Sequence, residues 1–249
     1  MRSPLQAPRG FLFDWGDTLV EELREDRAAG VAWLFGQAAH VPSGVALADV
    51  LARAERVRRE VDARRIPGEI EMSWPQLMRL VFDPLGVHFE LSLAELELGA
   101  WQRTSETREI PGAREGLAKI RAAGIPIGVV SNTSFGPAAI RHELEKHGLA
   151  EHLAFVTTSS EYGVRKPNAL LFEAAAARLG VAAREIWFVG DRLDKDVAGA
   201  KAAGMTAVWF CANASAEHGD PARTVIPDRV AHSWDELVAL AHAAGLARA

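Results

Sequence analysis

The sequence predicts an α/β fold, a doubly wound parallel sheet with an inserted all-helical domain, and three observations support this prediction. Short apolar runs end in polar loops at four points of the chain. Amphipathic stretches separate these runs in the second half, and glycines close several of the stretches. Repetition of strand, loop and helix is typical of parallel strands that helices cover on both faces.

The predicted strands are short and rich in β-branched or aromatic residues, as buried strands of a parallel sheet usually are. They cover residues 11–13, 125–130, 186–189 and 207–210. Periodicity of 3.6 residues predicts helices over residues 113–123, 138–147, 169–179 and 197–203. A glycine follows each helix at the position that a C-terminal cap favours: Gly124, Gly148, Gly180 and Gly204.

Residues 21–107 differ from the rest of the chain because helical patterns, over 51–61 and 91–101, are not interrupted by strand-like runs of similar quality. We expect residues 1–20 and 108–249 to form the sheet domain and residues 21–107 to form a helical domain inserted into it. Pro111 and Gly112 mark the return to the sheet domain.

Composition excludes several classes of function. The net charge of −5 gives no basic surface of the kind that binds nucleic acid, and no run of eighteen apolar residues suggests a membrane span. The first nine residues contain no apolar signal segment, which predicts a cytoplasmic protein. The single cysteine, Cys211, cannot form a disulfide within the chain and is predicted to be a packed thiol.

The predicted strands share a second property, which is that polar residues follow them directly. In a doubly wound sheet, ligands bind at the carboxyl ends of the strands, so these residues should converge on one crevice. They are Asp14 to Thr18, Ser131 with Asn132, and Gly190 with Asp191, followed by Asp194 and Asp196.

Carboxylates at such an edge are suited to Mg²⁺, which prefers oxygen ligands and is often shared between one or two carboxylates and a substrate phosphate. A bound phosphate also needs donors and a cation. The hydroxyl of Ser131 and the backbone N–H groups after it are suitable donors, and Lys166 is the candidate ammonium.

This set of motifs resembles the haloacid dehalogenase superfamily of hydrolases, and in particular its phosphoglycolate-phosphatase-like members with a helical cap. Nearly the whole chain is covered by the resemblance. Each motif alone is weakly specific, but four in the right order are strongly so. The matching residues are Asp14 with Thr18-Leu19, Ser131-Asn132, Lys166-Pro167, and Gly190-Asp191 with Asp196.

The resemblance implies a Mg²⁺-dependent phosphatase that acts on a small phosphorylated molecule through an aspartyl-phosphate. Asp14 would be the nucleophile, and Asp14, the Gly16 carbonyl and Asp191 would hold the metal. Ser131, Asn132 and Lys166 would bind the phosphate, with Lys166 also catalytic. Asp196 and Thr18 would support these residues from behind, Asp196 by orienting Lys166 or a metal-bound water. Asp194 is predicted to be solvated or to cap a helix.

One position departs from the family pattern. The acid that protonates the leaving group in such phosphatases lies two residues after the nucleophile, where this chain has Gly16 followed by Asp17. Three explanations stay open: Asp17 takes the role, a cap residue or a metal-bound water takes it, or turnover is weak or absent. The last would make the chain a binding or regulatory protein on a hydrolase scaffold.

Two branches of the superfamily also lack that acid. The dehalogenases resemble each other in replacing the glycine-aspartate pair of the fourth motif, so Gly190-Asp191 argues against this lesser alternative. The phosphonate hydrolases carry a cap lysine, and residues 21–107 contain none. A metal-dependent phosphatase is therefore the preferred prediction, while the substrate and the oligomeric state are not predicted.

Overall fold

The structure is a computed structural model that describes residues 7–212 and 225–247. Residues 1–6, on which the prediction of no signal segment partly depends, lie outside these ranges.

A six-stranded parallel sheet forms the main domain, with the strand order β5-β4-β1-β6-β7-β8. The strands are β1 (Gly10–Phe13), β4 (Ile127–Ser131), β5 (Phe155–Thr158), β6 (Ile186–Gly190), β7 (Thr206–Phe210) and β8 (Arg229–Ala231). All four predicted strands are confirmed. The two outermost strands were not predicted, because β5 has two threonines in four residues and β8 is only three residues long.

The helices that cover this sheet are α5 (Ala113–Ala122), α6 (Pro137–Lys146), α7 (Ser159–Tyr162), α8 (Ala169–Leu179), α9 (Ala198–Ala202) and α10 (Trp234–Ala243). Side chains alternate between the two faces of β1, so that Phe11 and Phe13 join one core cluster and Leu12 joins the other. Both faces of the sheet are therefore buried, and the predicted doubly wound α/β fold is confirmed.

The four predicted cap glycines adopt positive φ angles, between 67° and 78°. Glycine populates this left-handed region without the steric cost that a Cβ atom brings. The ends of the four predicted helices therefore follow from the sequence to within a residue or two.

Four helices lie between β1 and α5: α1 (Arg27–Gly36), α2 (Leu47–Gly68), α3 (Trp74–Phe82) and α4 (Leu93–Thr104). They share a separate core built on residues such as Leu34, Trp74 and Leu96. Two antiparallel strands, β2 (Val20–Glu25) and β3 (Ser105–Glu109), flank these helices. The segment predicted as all-helical thus has a strand at each end, and the mainly charged, exposed side chains of these strands gave no apolar pattern that would predict them.

No helix within the described ranges is long and apolar enough to cross a membrane.

Candidate active site

The carboxyl ends of three neighbouring strands bring the predicted motifs together. β1 lies between β4 and β6, so the residues that follow these strands share one edge of the sheet. Asp14 continues the pairing of β1, since its backbone N–H donates to the carbonyl of Val189 at 2.9 Å. Ser131 closes β4 and is buried, and Asp191 follows β6 and is also buried.

Lys166 reaches the same edge from the loop between α7 and α8. Its ammonium Nζ lies 2.6 Å from Asp14 Oδ1, 2.7 Å from Asp196 Oδ1 and 3.0 Å from the carbonyl of Val130. Burial alone lowers the pKa of Lys166, but the charges of Asp14 and Asp196 outweigh that effect, and the pKa is raised above its ordinary value. Lys166 is therefore a buried cation held against the predicted nucleophile.

Three carboxylates meet beside this lysine. One oxygen from each of Asp14, Asp191 and Asp196 can be chosen so that all three lie within 4.8 Å of one another. Burial and the charges of Asp14 and Asp196 raise the pKa of Asp191 to about 9. Burial also raises the pKa of Asp196 to about 6, although Lys166 opposes this shift.

Three acids and one lysine leave an excess of negative charge in a buried place, which a divalent cation would neutralise. The donors are all hard oxygens, the type that Mg²⁺ prefers. This donor set fits the predicted metal, with Asp14 and Asp191 as the carboxylate ligands and Asp196 already engaged by Lys166.

The position of Asp196 depends on a glycine at the end of β6. A Cβ atom on Gly190 would lie 2.5 Å from the carboxyl carbon of Asp196, so no larger residue fits there. The second Asp196 oxygen accepts from the backbone N–H of Arg192 at 3.0 Å. Asp196 is thus fixed by the backbone on one side and by Lys166 on the other.

The turn after β1 contains the position that departs from the family pattern. Gly16 has no heavy atom within 4 Å of where a Cβ would stand. Asp17 adopts a positive φ of 50°, and its backbone N–H donates to the carbonyl of Val20 at 2.7 Å. Asp is one of the few residue types besides glycine that this left-handed conformation accepts. The turn therefore requires a residue such as Asp or Asn at 17 and leaves space at 16.

Thr18 is fully buried behind the turn, and its carbonyl accepts from the indole N–H of Trp234 at 3.1 Å. Its hydroxyl has no partner among the described residues. Thr18 therefore fixes the turn by packing and by its backbone, and its predicted supporting role in the site stays a prediction.

Asn132 was predicted to bind substrate, but the structure gives its side chain a different contact. The amide accepts from the backbone N–H of Lys166 at 2.8 Å and donates to the carbonyl of the same residue at 3.0 Å. This pair of bonds fixes the loop that carries Lys166. In the structure Asn132 is a positioning residue, and the predicted contact with substrate is untested.

Asp194 was predicted to be solvated or to cap a helix; it is partly exposed and caps no helix, and it forms an ion pair that was not predicted. Its two oxygens accept from the guanidinium of Arg192, each at 3.0 Å. The residues 193–197 form a π-helical turn before α9. The ion pair accounts for Asp194 without a role in catalysis.

A network centred on Glu71 was missed by the sequence analysis. The Glu71 side chain is fully buried and accepts from Arg65 at 2.5 Å, from Arg165, and from Ser159 Oγ at 2.8 Å. It joins the helical insertion to the residue next to Lys166. Glu71 and Arg165 are 94 positions apart in the chain, so no local pattern could have indicated their contact.

A cavity of 590 Å³ lies between this edge of the sheet and the helical insertion. Trp15, Ser131 and Asn132 line it on the side of the sheet domain, and residues of α1 to α4 line the opposite side. Ser131 therefore faces both the predicted phosphate site and the cavity.

The proteins that this chain resembles agree with the hydrolase that the geometry of the site suggests. The sequence model of the haloacid dehalogenase-like hydrolases matches residues 8–204. A phosphoserine phosphatase of Thermus thermophilus is 33% identical over 222 residues, which are 80% of this chain and 86% of that protein. A glyceraldehyde 3-phosphate phosphatase of Pyrococcus abyssi is 30% identical over 184 residues, 66% of this chain and 76% of that protein.

Among solved structures, a crystal structure of a HAD phosphatase from Thermococcus onnurineus superposes with a TM-score of 0.58 at 24% identity. The match covers 97% of this chain and 100% of the other. At this identity the likeness is one of fold, and it includes the insertion as well as the sheet domain.

Proposed function

The chain belongs to the haloacid dehalogenase-like hydrolases, and from this membership we propose that it is a Mg²⁺-dependent phosphatase of a small phosphorylated molecule. The observation that carries the proposal is the contact of 2.6 Å between Lys166 Nζ and Asp14 Oδ1 inside a cluster of three carboxylates. The phosphatase names of the two relatives support the same reaction.

In the proposed reaction, a carboxylate oxygen of Asp14 attacks the phosphorus atom and the alcohol leaves. Water then cleaves the aspartyl-phosphate, which restores Asp14 and releases inorganic phosphate. Lys166 offsets negative charge on the phosphoryl oxygens and on Asp14, and the hydroxyl of Ser131 donates to a phosphoryl oxygen. A bound Mg²⁺, held by Asp14, Asp191 and the Gly16 carbonyl, would neutralise the charge that the carboxylates and phosphate share.

Proton transfer to the leaving alcohol is assigned to Asp17 in this proposal, because Gly16 has no side chain to carry a proton. Two observations support the assignment. Asp17 lies in the same turn as Gly16, and its charge contributes to raising the pKa of Asp191, which places it within electrostatic reach of the site.

A second function, a binding or regulatory protein without turnover, is favoured by one observation, which is the missing acid at Gly16. Against it stands the complete set of Asp14, Lys166 and Asp191 at one edge of the sheet, with burial and the charges of Asp14 and Asp196 raising the pKa of Asp191 to about 9. Strongly shifted pKa values cluster at catalytic sites.

The deciding experiment measures phosphate release with Mg²⁺ from para-nitrophenyl phosphate and from a panel of alkyl phosphates. We expect the wild type to be active and Asp14→Asn to be inactive with every ester. Asp17→Asn should lower the turnover of alkyl phosphates by about 10²-fold or more, since an alkoxide needs a proton in order to leave. With para-nitrophenyl phosphate the loss should be smaller, because its leaving group departs as an anion.

Inactivity of the wild type across the panel would instead favour the binding protein. If Asp17→Asn matched the wild type with both kinds of ester, Asp17 would be excluded as the proton donor while the assignment of Asp14 would stand.

We further propose that residues 21–107 act as the cap that covers the site, with residues 1–20 and 108–249 as the catalytic domain. The support is the position of α1 to α4 across the cavity from Ser131. The cytoplasmic location and the lack of nucleic-acid and membrane partners remain predictions from the sequence.

A further inference from the structure

The wall of the cavity beside the proposed phosphate site is largely aromatic. Trp15 packs edge to face on Trp101, with ring centroids 5.6 Å apart, and Trp101 packs in the same way on Phe135 at 4.9 Å. Trp74 also stacks on Phe135, with ring centroids 6.1 Å apart. All four rings line the cavity, and the row begins at the residue directly after Asp14.

Aliphatic side chains continue this wall into the insertion. They come from α1, α2 and α3 and include Val31, Val57, Val61, Leu77 and Met78. With a volume of 590 Å³, the cavity is large enough for a group of many carbon atoms, because pockets of about 300 to 1,000 Å³ hold drug-sized ligands. A substrate with only two or three carbon atoms, each bearing a polar group, would leave most of this apolar wall in contact with water.

The arginines on the cavity wall do not offer a free cation to a second anionic group. Within the described residues, Arg27 pairs with Glu25 at 2.6 Å and Arg58 with Glu55 at 2.7 Å. Arg65 and Arg165 both pair with the buried Glu71. Four acids, Glu22, Glu25, Glu55 and Asp62, line the cavity beside these four arginines, so the charges on the wall balance.

The indole N–H of Trp15 is a donor on the aromatic wall that a ligand could satisfy. The Trp15 side chain lines the cavity and is buried, and its indole N–H has no partner among the described residues. Buried donors are normally hydrogen-bonded. By contrast, the indole N–H of Trp101 donates to Glu143 at 3.1 Å, on the side of α6.

From these observations we propose that the substrate is a phosphate monoester whose alcohol carries a bulky apolar or aromatic group. The phosphate lies at Asp14, Ser131 and Lys166, and the apolar group lies in the cavity against Trp15, Trp101 and Phe135. The inference rests on the proposed function and narrows its substrate class. It sets this chain apart from the two relatives, which are named for the small polar substrates phosphoserine and glyceraldehyde 3-phosphate.

The test compares phosphate esters of primary alcohols of similar acidity, so that leaving-group chemistry is constant. Ethyl phosphate, glycerol 3-phosphate and 2-phenylethyl phosphate are assayed with Mg²⁺. Burial of a phenyl ring predicts a kcat/KM for 2-phenylethyl phosphate at least about tenfold above those of the other two esters.

A matched pair of variants on α2 then locates the binding of the apolar group. Ala54 lines the cavity, whereas Ala52 is exposed on the same helix and does not line it. Ala54→Phe fills part of the cavity and should remove most of the preference for 2-phenylethyl phosphate over ethyl phosphate by raising the KM of the phenyl ester. Ala52→Phe should match the wild type with all three esters, and circular dichroism checks that both variants fold.

Two results would overturn the inference and leave the proposed function intact. One is hydrolysis of ethyl or glycerol phosphate as efficiently as 2-phenylethyl phosphate. The other is an equal preference for 2-phenylethyl phosphate in Ala54→Phe and in Ala52→Phe. If no ester is hydrolysed at all, the proposed function fails and this inference fails with it.

Discussion

The ammonium of Lys166 lies 2.6 Å from Oδ1 of Asp14, although 152 positions separate the two residues in the chain. The contact is buried, and Asp196 and the Val130 carbonyl complete the surroundings of the ammonium. The contact holds an oxygen of the proposed nucleophile beside a positive charge, which can also offset the charge of a bound phosphate.

Replacing Lys166 with methionine should therefore impair the reaction. We expect kcat with para-nitrophenyl phosphate to fall by about 10²-fold or more, because the transition state loses a buried positive charge. Lys201→Met is the control, since Lys201 pairs with Asp228 at 2.8 Å on the surface. Equal rates for the two variants would contradict the assignment of Lys166.

Adding an acid at position 16 should restore turnover to a variant that lacks the acid at position 17. Gly16 has no heavy atom within 4 Å of a Cβ position, so Gly16→Asp can be accommodated. A general acid at this position is worth about 10²-fold or more for a poor leaving group. In the Asp17→Asn background, we expect kcat for an alkyl phosphate with Gly16→Asp to exceed that with Gly16→Asn, which has the same shape and no proton to transfer. Similar rates for the two variants would show that an acid at position 16 is not aligned with the leaving oxygen.

Removing one carboxylate from the cluster should stabilise the metal-free protein. In the presence of a chelator, Asp191→Asn should melt a few degrees above the wild type, since about 1 kcal/mol corresponds to 2–4 °C in a chain of this size. Added Mg²⁺ should raise the Tm of the wild type and not that of the variant. Asp194→Asn is the control, because Asp194 pairs with Arg192 outside the cluster. A variant that keeps the full Mg²⁺ shift would exclude Asp191 as a ligand.

The buried Glu71 should be important for stability. Glu71→Ala leaves Arg65 and Arg165 without their shared partner, and loss of one member of a buried ion pair costs about 3–5 kcal/mol. Urea denaturation followed by circular dichroism measures the free energy of unfolding. Glu60→Ala, which removes an exposed acid 3.9 Å from Arg64, should change it little. A similar free energy of unfolding for the two variants would contradict the role of Glu71 in joining the insertion to the sheet domain.

The lowered pKa of Glu143 predicts that the stability of the protein depends on pH. Burial raises its pKa, but hydrogen bonds from Lys146, Thr107 and Trp101 outweigh burial and lower the pKa below its ordinary value. A lowered folded-state pKa gives stability that is present above the unfolded pKa, about 4.3, and is lost as pH falls through the folded pKa.

The difference in unfolding free energy between the wild type and Glu143→Gln should thus be constant from about pH 6 to 5 and shrink below about pH 4.3. A difference that did not change between pH 5 and pH 3 would contradict the lowered pKa.

Much of the fold and part of the site could be predicted from the sequence because the signals are local. A buried strand is a run of apolar residues, a C-cap is a glycine, and the carboxyl ends of parallel strands share an edge. Those rules alone placed Asp14, Ser131 and Asp191 together. The same rules missed β2 and β3, whose charged residues pair through the backbone and show no apolar pattern.

The sequence by itself determined the doubly wound sheet, the identity of the carboxylates at its edge and the absence of an acid at Gly16. Only the tertiary structure decided that Asn132 holds the Lys166 loop, that Glu71 pairs with two arginines and that an aromatic wall faces the site. The physical reason is distance along the chain. Contacts between residues such as Glu71 and Arg165 form when helices of the insertion pack on loops of the sheet domain, and side-chain partners chosen by packing leave no periodic trace in the sequence.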